Sequence, residues 1–133
     1  MNIPVLIAGL LSLGAFFVHA FVGDKEYQAL RPPSNGPDKN KETWVQGRSG
    51  WHWVSVDLFL TSMLLMLISE TDFITAKKEF LIILSIYFFL CAIVWLSIVL
   101  SSRNTNRQIV VLGQWIFCLI MSALLVWGQT QSA

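Results

Sequence analysis

The sequence contains few charged residues. Only 13% of its 133 residues are Asp, Glu, Lys or Arg, whereas a soluble domain usually carries about a quarter. Hydrophobic residues make up 55% of the chain. This composition argues against an ordinary soluble domain and is typical of an integral membrane protein, whose first partner is the lipid bilayer.

The chain also lacks an excess of basic charge and any cysteine motif. Its formal net charge is +1, so the clustered basic face that nucleic-acid binding needs is not expected. Cys91 and Cys118 both lie in apolar stretches and form no Cys-x-x-Cys pair. They indicate neither a zinc site nor a disulfide framework, and we expect two reduced thiols.

Recognisable catalytic motifs are missing as well. The sequence has no Gly-rich phosphate loop, no His-Glu-x-x-His and no Ser-His-Asp arrangement. An enzymatic activity therefore has little support. On the same grounds no cofactor is expected, although haem or a divalent metal stays an alternative.

Four apolar runs organise the chain, at about residues 3–22, 51–69, 80–100 and 109–127. About 20 helical residues cross a bilayer, and in lipid a helix satisfies its own backbone hydrogen bonds. The sequence therefore predicts an all-α polytopic membrane protein with four transmembrane helices in a single domain, 1–133. Because the last two connections are short, the helices are expected to form an antiparallel bundle.

The distribution of lysine and arginine predicts the orientation of the chain. Seven of these residues lie in the connections 23–50 and 101–108, and only Lys77 and Lys78 lie on the other side. Basic residues favour the cytoplasmic side, so 23–50 is predicted to be a cytoplasmic loop, with both termini outside. Aromatic residues near the ends of the runs are predicted to anchor the helices at the membrane interface: Trp51, Trp53 and Trp127.

Several polar side chains fall at similar depth near the predicted cytoplasmic side. Asp57 and Gln114 are each about 8–9 Å from the cytoplasmic end of their helix, from a rise of 1.5 Å per residue. His19 approaches from the first run, and His52 lies at the start of the second. Polar groups in lipid face the bundle interior and find one another, so we expect a shared cluster.

The position of Asp57 inside an apolar run allows two interpretations. As a functional group it would be a proton or ion site, because burial raises the pKa of a carboxyl toward neutral pH. As a structural group it would form an interhelical hydrogen bond to Gln114, His19 or Thr61, or an ion pair with Arg48. The structural interpretation is favoured, because interhelical hydrogen bonds are common in helix bundles.

The two histidines suggest a metal or haem alternative. Imidazoles on neighbouring helices at similar depth, His19 and His52, could share one ion or provide both axial ligands of a haem. However, five residues turn an α-helix by about 140° from His52 to Asp57. A single site built from His19, Asp24, His52 and Asp57 is therefore not expected.

The first run carries a face of small and polar residues. Ala8, Ser12, Ala15, His19 and Gly23 recur at steps of three or four residues. Small residues let neighbouring helices approach closely, so this face is predicted to be a packing seam.

Two short motifs carry a resemblance. His19-Ala-Phe-Val-Gly23-Asp24 and Arg48-Ser-Gly-Trp51-His52-Trp-Val-Ser55 resemble a group of small uncharacterised bacterial four-helix membrane proteins. That group shows His-x-x-x-Gly-Glu followed by Arg-x-x-Trp-His-x-x-Ser, and the likeness covers the first half of the chain. It implies that these residues act together at the cytoplasmic edge of a bacterial inner-membrane protein.

These observations give an expected function and two alternatives. We expect a small, non-enzymatic accessory or interaction protein that forms a homo-oligomer or joins a larger membrane complex. A polar cluster of His19, Asp24, Arg48, His52, Asp57 and Gln114 would fix its helices together. The alternatives are a proton- or ion-coupled transporter that uses Asp57 and a protein that binds haem or a divalent metal through His19 and His52.

Overall fold

The chain is all-helical. The computed structural model describes residues 1–102, 108–109 and 111–131, and this part of the chain contains no strand. The first helix consists of α1 (Ile3–Phe17), a π-helical segment (Val18–Gly23) and α2 (Asp24–Ala29). It is followed by α3 (Asp38–Glu70), α4 (Lys77–Leu100) and α5 (Gln114–Thr130).

Three of these four helices are long and apolar enough to cross a membrane. They are Ile3–Ala29, Asp38–Glu70 and Lys77–Leu100, with 27, 33 and 24 residues. The fourth, α5, has 17 residues and is about 25 Å long at 1.5 Å per residue. The prediction of an all-helical chain is confirmed. A fourth spanning helix stays a prediction.

Helix α3 starts much earlier than the apolar run that predicted it. It begins at Asp38, whereas the prediction placed residues 23–50 in a loop and began the helix at Trp51. Pro37 accepts hydrogen bonds from the amides of Asn40 and Lys41 and so closes the first turn. The negative charge of Asp38 in that turn interacts favourably with the positive end of the helix dipole. The Lys41 ammonium group bonds to the Asp38 carboxylate at 3.0 Å. Hydropathy missed this first part of the helix because most of its residues are polar, and a polar segment can be either a helix or a loop.

The remaining part of the connection is short. Helix α2 ends at Ala29, and a turn follows at Leu30, where the amide bonds to the carbonyl of Tyr27 at 3.1 Å. Pro32 and Pro33 then prevent the helix from continuing, because proline removes a donor and disfavours helical geometry in the residue before it. The connection between α2 and α3 is thus confined to residues 30–37.

Helix α5 starts later than predicted. Residues 108, 109 and 111 are helical, but Leu112 and Gly113 form a turn before Gln114. The run 109–127 is apolar on both sides of this turn, so hydropathy averaged over the run does not show the break. Arg103 and Arg107, which entered the prediction of orientation, lie outside the described residues.

The chain forms two compact units. The first unit is Gly9–Met66, and the second consists of Met1–Ala8 with Leu67–Ala133. The predicted single domain stays a prediction.

In the first unit, the small-residue face of the first helix packs against α3. The Ser12 hydroxyl donates to the carbonyl of Leu58 at 2.9 Å, and both residues are buried. A Cβ at Gly9 would lie 3.1 Å from the Met66 side chain, so the helices approach closely here. The predicted packing seam is confirmed at Ser12. Gly9, which was not part of the predicted face, also lies at this contact.

In the second unit, α4 packs against α5. The Ser122 hydroxyl donates to the carbonyl of Ser85 at 2.9 Å, and the rings of Phe88 and Phe117 meet edge to face. The core residues there include Leu81, Phe88, Ala92, Met121 and Leu125. Cys91 and Cys118 are free, half-buried thiols in this unit.

An ion pair joins the connection 71–76 to the first residue of α4. Lys77 donates to Asp72 at 2.8 Å, and the Asp72 side chain is fully exposed. This hydrogen bond, with the positive charge of Lys77, lowers the pKa of Asp72 below its ordinary value.

Candidate functional site

The candidate site is centred on Asp24, the first residue of α2. Arg48 of α3 donates from Nε to Oδ1 at 2.8 Å and from Nη2 to Oδ2 at 3.0 Å. His52 Nε2 lies 3.1 Å from Oδ1, and Gln28 Nε2 donates to Oδ2. We call these four residues the Asp24 cluster. Bidentate arginine–carboxylate pairs are among the strong hydrogen bonds of proteins.

The chemistry of a carboxylate fixes the proton on His52. An ionised carboxylate only accepts hydrogen bonds, so the short contact to Oδ1 requires the His52 proton on Nε2. The opposite ring nitrogen is then free to accept when the ring is neutral. The Asp24 side chain is 12% exposed, whereas that of His52 is 43% exposed. The cluster is therefore buried at the carboxylate and open to its surroundings at the imidazole.

Helical spacing explains why these residues meet. On α3, Arg48, His52 and Ser55 follow at steps of four and three residues and so share one face. On α2, Asp24 and Gln28 are four residues apart and lie one above the other. The two faces are opposed, and all their polar groups come together in the first unit.

A second group of contacts lies beside the Asp24 cluster. His19 Nδ1 is 2.9 Å from the Ser55 hydroxyl, and the His19 ring stacks on Trp51 at 4.0 Å with an angle of 8° between the planes. The Trp51 indole N–H donates to the backbone carbonyl of His19 at 3.0 Å. We call His19, Trp51 and Ser55 the His19 cluster.

The π-helical segment brings the two clusters onto one face. In an α-helix, His19 and Asp24 would be about 140° apart. In a π-helix, residue i bonds to residue i+5, which places such residues close to one another along the axis. The segment Val18–Gly23 thus lets both His19 and Asp24 face α3. Single-turn π segments of this kind occur frequently at functional sites.

An aromatic series continues along the same surface. The Tyr27 ring lies 5.8 Å from Trp51 and 6.3 Å from Trp44. The Trp44 indole N–H donates to the Tyr27 carbonyl at 3.2 Å. Arg48 lies over the Trp44 ring at 5.5 Å, so one guanidinium contacts both this series and Asp24.

Two glycines make room for these rings. A Cβ on Gly23 would overlap the Trp51 indole, and a Cβ on Gly47 would overlap the Tyr27 hydroxyl. Neither glycine has a positive φ, so each is required for close approach. A side chain would be tolerated less well at Gly23 than at Gly47, because it would overlap the packed Trp51 ring itself.

Of the predicted site residues, the structure brings together His19, Asp24, Arg48 and His52, all in the first unit. Asp57 lies in the same unit but is exposed. Nine residues turn an α-helix by about 180°, so Asp57 lies on the face of α3 opposite Arg48. Gln114 is an exposed residue of the second unit. The cluster therefore has Asp24 at its centre, where the sequence had suggested Asp57.

The predicted interface anchors differ from one another. Trp53 and Trp127 are 76% and 55% exposed, whereas Trp51 is half-buried within the His19 cluster. Its stacking and indole hydrogen bond show that it packs two helical segments together. The prediction for Trp51 missed this role because the π segment that supplies its acceptor is not visible in the sequence.

Two further residues, Gln28 and Tyr27, were not singled out from the sequence. Gln28 could have been found from its spacing of four residues from Asp24, which places the two side chains on one face of a helix. Tyr27 offered no such signal. Among the described residues, no group of three or more His, Cys, Asp and Glu side chains is placed to hold a metal ion.

Comparison with known proteins adds no assignment to this geometry. No protein-family model matches the chain, and neither the curated proteins nor the solved structures provide a match.

Proposed function

We propose that this chain is a small integral membrane protein of the accessory or interaction type, and that the Asp24 cluster fixes its first helix against α3. The protein would lie in a bacterial inner membrane with four spans and both termini outside. It would act as a homo-oligomer or as a subunit of a larger membrane complex, without catalysing a reaction.

Helix length and exposed apolar surface support the membrane placement. Helix α3 has 33 residues and is about 50 Å long, whereas the hydrocarbon layer is about 30 Å thick. Its polar first part would then extend beyond the lipid. Helix α4 exposes a series of large aliphatic side chains that lipid or a partner helix would cover: Ile83, Ile86, Leu90, Val94 and Ile98.

The single observation that carries the structural role is the saturation of Asp24. Its two oxygens accept four hydrogen bonds, two from Arg48 and one each from His52 and Gln28. An ionised carboxylate has about four lone-pair sites. A carboxylate that is filled in this way is well suited to hold helices together and poorly suited to exchange protons or bind a transported ion.

This role predicts a specific effect on assembly. If the cluster fixes the first helix, it also fixes the exposed surfaces that the first unit presents to partners. Losing the cluster should therefore change both the stability of the chain and its association. A protein in which Asp24 carried out chemistry would lose activity with its assembly intact.

The test compares Asp24→Asn with Glu26→Gln in the full chain, purified in a mild detergent. Glu26 is an exposed acid of the same helix, so its variant removes one negative charge without touching the cluster. We expect Asp24→Asn to lower the thermal unfolding midpoint and to change the oligomer mass or the set of co-purifying membrane proteins. Wild-type behaviour in all three measurements would refute the proposal.

A further inference from the structure

A groove of about 390 Å³ lies on the surface of the first unit, close to the Asp24 cluster. It is formed by the connection between α2 and α3 together with the first turns of α3. Its lining residues are Arg31, Pro32, Ser34, Lys41, Trp44 and Val45.

The charges of the lining are all positive. It contains two cations, Arg31 and Lys41, and the hydroxyl of Ser34, but no carboxylate. Arginine and lysine are the side chains that bind phosphate oxygens best, arginine through a planar fork and lysine as a point charge. The electrostatics of the groove therefore favour an anion with several oxygens.

The arginine is held in position by an aromatic ring. The Arg31 guanidinium lies over Trp44, 5.6 Å from the ring centroid. Trp44 is itself fixed by its hydrogen bond to the Tyr27 carbonyl. A guanidinium that stacks on an aromatic face keeps its N–H groups in its own plane, where they can still donate to an acceptor.

The lysine can reorganise toward a ligand at little cost. Lys41 bonds to Asp38 at 3.0 Å, but the Asp38 side chain is 90% exposed. Exposed ion pairs of this kind contribute little to stability, so a phosphate could compete with Asp38 for the ammonium group. Glu42 pairs with Lys39 at 3.9 Å, and neither residue lines the groove.

The remaining lining is apolar and lies near the predicted membrane surface. Pro32, Trp44 and Val45 contribute this part, and Val45 is 56% exposed. Along α3, Trp44 is about 10 Å from Trp51, where the apolar run begins, which corresponds to the headgroup layer of a bilayer. A ligand with both a phosphate and an apolar part matches this lining better than a free phosphate does.

We propose that this groove binds the phosphate group of an anionic phospholipid headgroup through Arg31 and Lys41, with Trp44 and Val45 contacting the apolar part of the lipid. The lipid source depends on the membrane placement proposed above. The phosphate chemistry of the groove does not depend on it.

The test uses the purified full chain in a neutral detergent and counts retained lipid by native mass spectrometry. Phosphatidylglycerol is the anionic probe and phosphatidylcholine the net-neutral one. The variant Arg31→Gln/Lys41→Gln removes both cations of the groove. The control Lys25→Gln/Lys39→Gln removes the same charge from exposed residues outside the lining.

Wild type and the control should retain phosphatidylglycerol in preference to phosphatidylcholine. The groove variant should bind it about 30-fold more weakly, from the usual contribution of two basic residues near an anionic surface. Equal retention by the groove variant and the control would overturn the proposal. A third variant, Val45→Asp, keeps both cations of the groove and should also weaken the binding of phosphatidylglycerol. It provides a second test of the groove in case the double variant does not fold.

Competition with inorganic phosphate separates the two sources of the ligand. Displacement of phosphatidylglycerol only by another anionic lipid supports the headgroup. Binding of millimolar inorganic phosphate that the groove variant loses, without lipid preference in wild type, would overturn the lipid proposal and assign a soluble phosphate compound. The Asp24→Asn measurements are independent of both arms, so failure of the groove and failure of the proposed function can be told apart.

Discussion

Arg48 and Asp24 are joined by two parallel hydrogen bonds, at 2.8 and 3.0 Å, between α3 and the helical turn that follows the π segment. Planar groups that pair in this way fix orientation as well as distance. The pair therefore sets the register between the first helix and α3. His52 and Gln28 complete the acceptors of Asp24, and the remaining contacts of the site are arranged around this pair.

The close approach of Gly23 to Trp51 gives the first prediction. Gly23→Ala places a methyl group into the indole ring, and overpacking of this kind lowers the free energy of unfolding by about 1–3 kcal/mol. Gly14→Ala is the control, because a Cβ at Gly14 meets no atom within 4 Å. Alanine favours a helix over glycine by up to about 1 kcal/mol, so the control should be neutral or stabilised in thermal unfolding. Equal effects of the two variants would show that the contact is not tight.

The indole hydrogen bond of Trp51 gives the second prediction. Trp51→Phe keeps an aromatic ring beside His19 but removes the donor to the His19 carbonyl. The loss should lower the free energy of unfolding by about 1 kcal/mol. Trp53→Phe changes a residue that is 76% exposed and should stay within about 0.5 kcal/mol of wild type. Denaturant titration in detergent measures both, and a larger loss in Trp53→Phe would argue against the role given to Trp51.

The contact between α4 and α5 gives the third prediction. Ser122→Ala removes the hydroxyl that donates to the Ser85 carbonyl and should cost about 0.6 kcal/mol, the mean for such bonds in membrane helix bundles. Ser97 is exposed, and its hydroxyl donates to the Ile93 carbonyl within its own helix, so Ser97→Ala should have a smaller effect. A larger loss of stability in Ser97→Ala than in Ser122→Ala would refute the role given to the Ser122 hydrogen bond.

The exposed pair of Asp72 and Lys77 gives a prediction about pH. Because the pKa of Asp72 is lowered in the folded chain, the pair stabilises the fold above the ordinary aspartate pKa, about 3.9. That stabilisation is lost as the pH falls through the lower pKa of the folded state. Lys77→Gln should bring the Asp72 titration, followed by carboxyl NMR, back toward the ordinary value. An unchanged titration midpoint would exclude Lys77 as the cause.

Hydropathy predicted the helices well where they are apolar. Residues 3–22, 51–69 and 80–100 all lie within helices of the structure. Hydropathy reports lipid compatibility, however, and says little about where a helix begins in water. The polar start of α3 at Asp38 and the turn at Gly113 before α5 were missed for that reason, since neither coincides with a change in apolar content.

The site was predicted in part. His19, Asp24, Arg48 and His52 were named from motifs and depth, and the structure brings them together. Asp57 was given the central role because a carboxylate inside an apolar run is conspicuous in a sequence. Asp24 was placed in the connection 23–50. The π segment changes the direction in which the side chains after it point, and so it turns Asp24 toward α3.

A double-mutant cycle on Asp24 and Arg48 measures how strongly this pair couples the first helix to α3. Asp24→Asn, Arg48→Gln and the combined variant are compared with wild type by thermal unfolding of the full chain in one detergent. Each single variant should lower the midpoint, and the combined variant should be no less stable than the worse single one, because either change alone already breaks the pair. A combined loss equal to the sum of the two single losses would show that Asp24 and Arg48 act independently and do not fix the first helix as a pair.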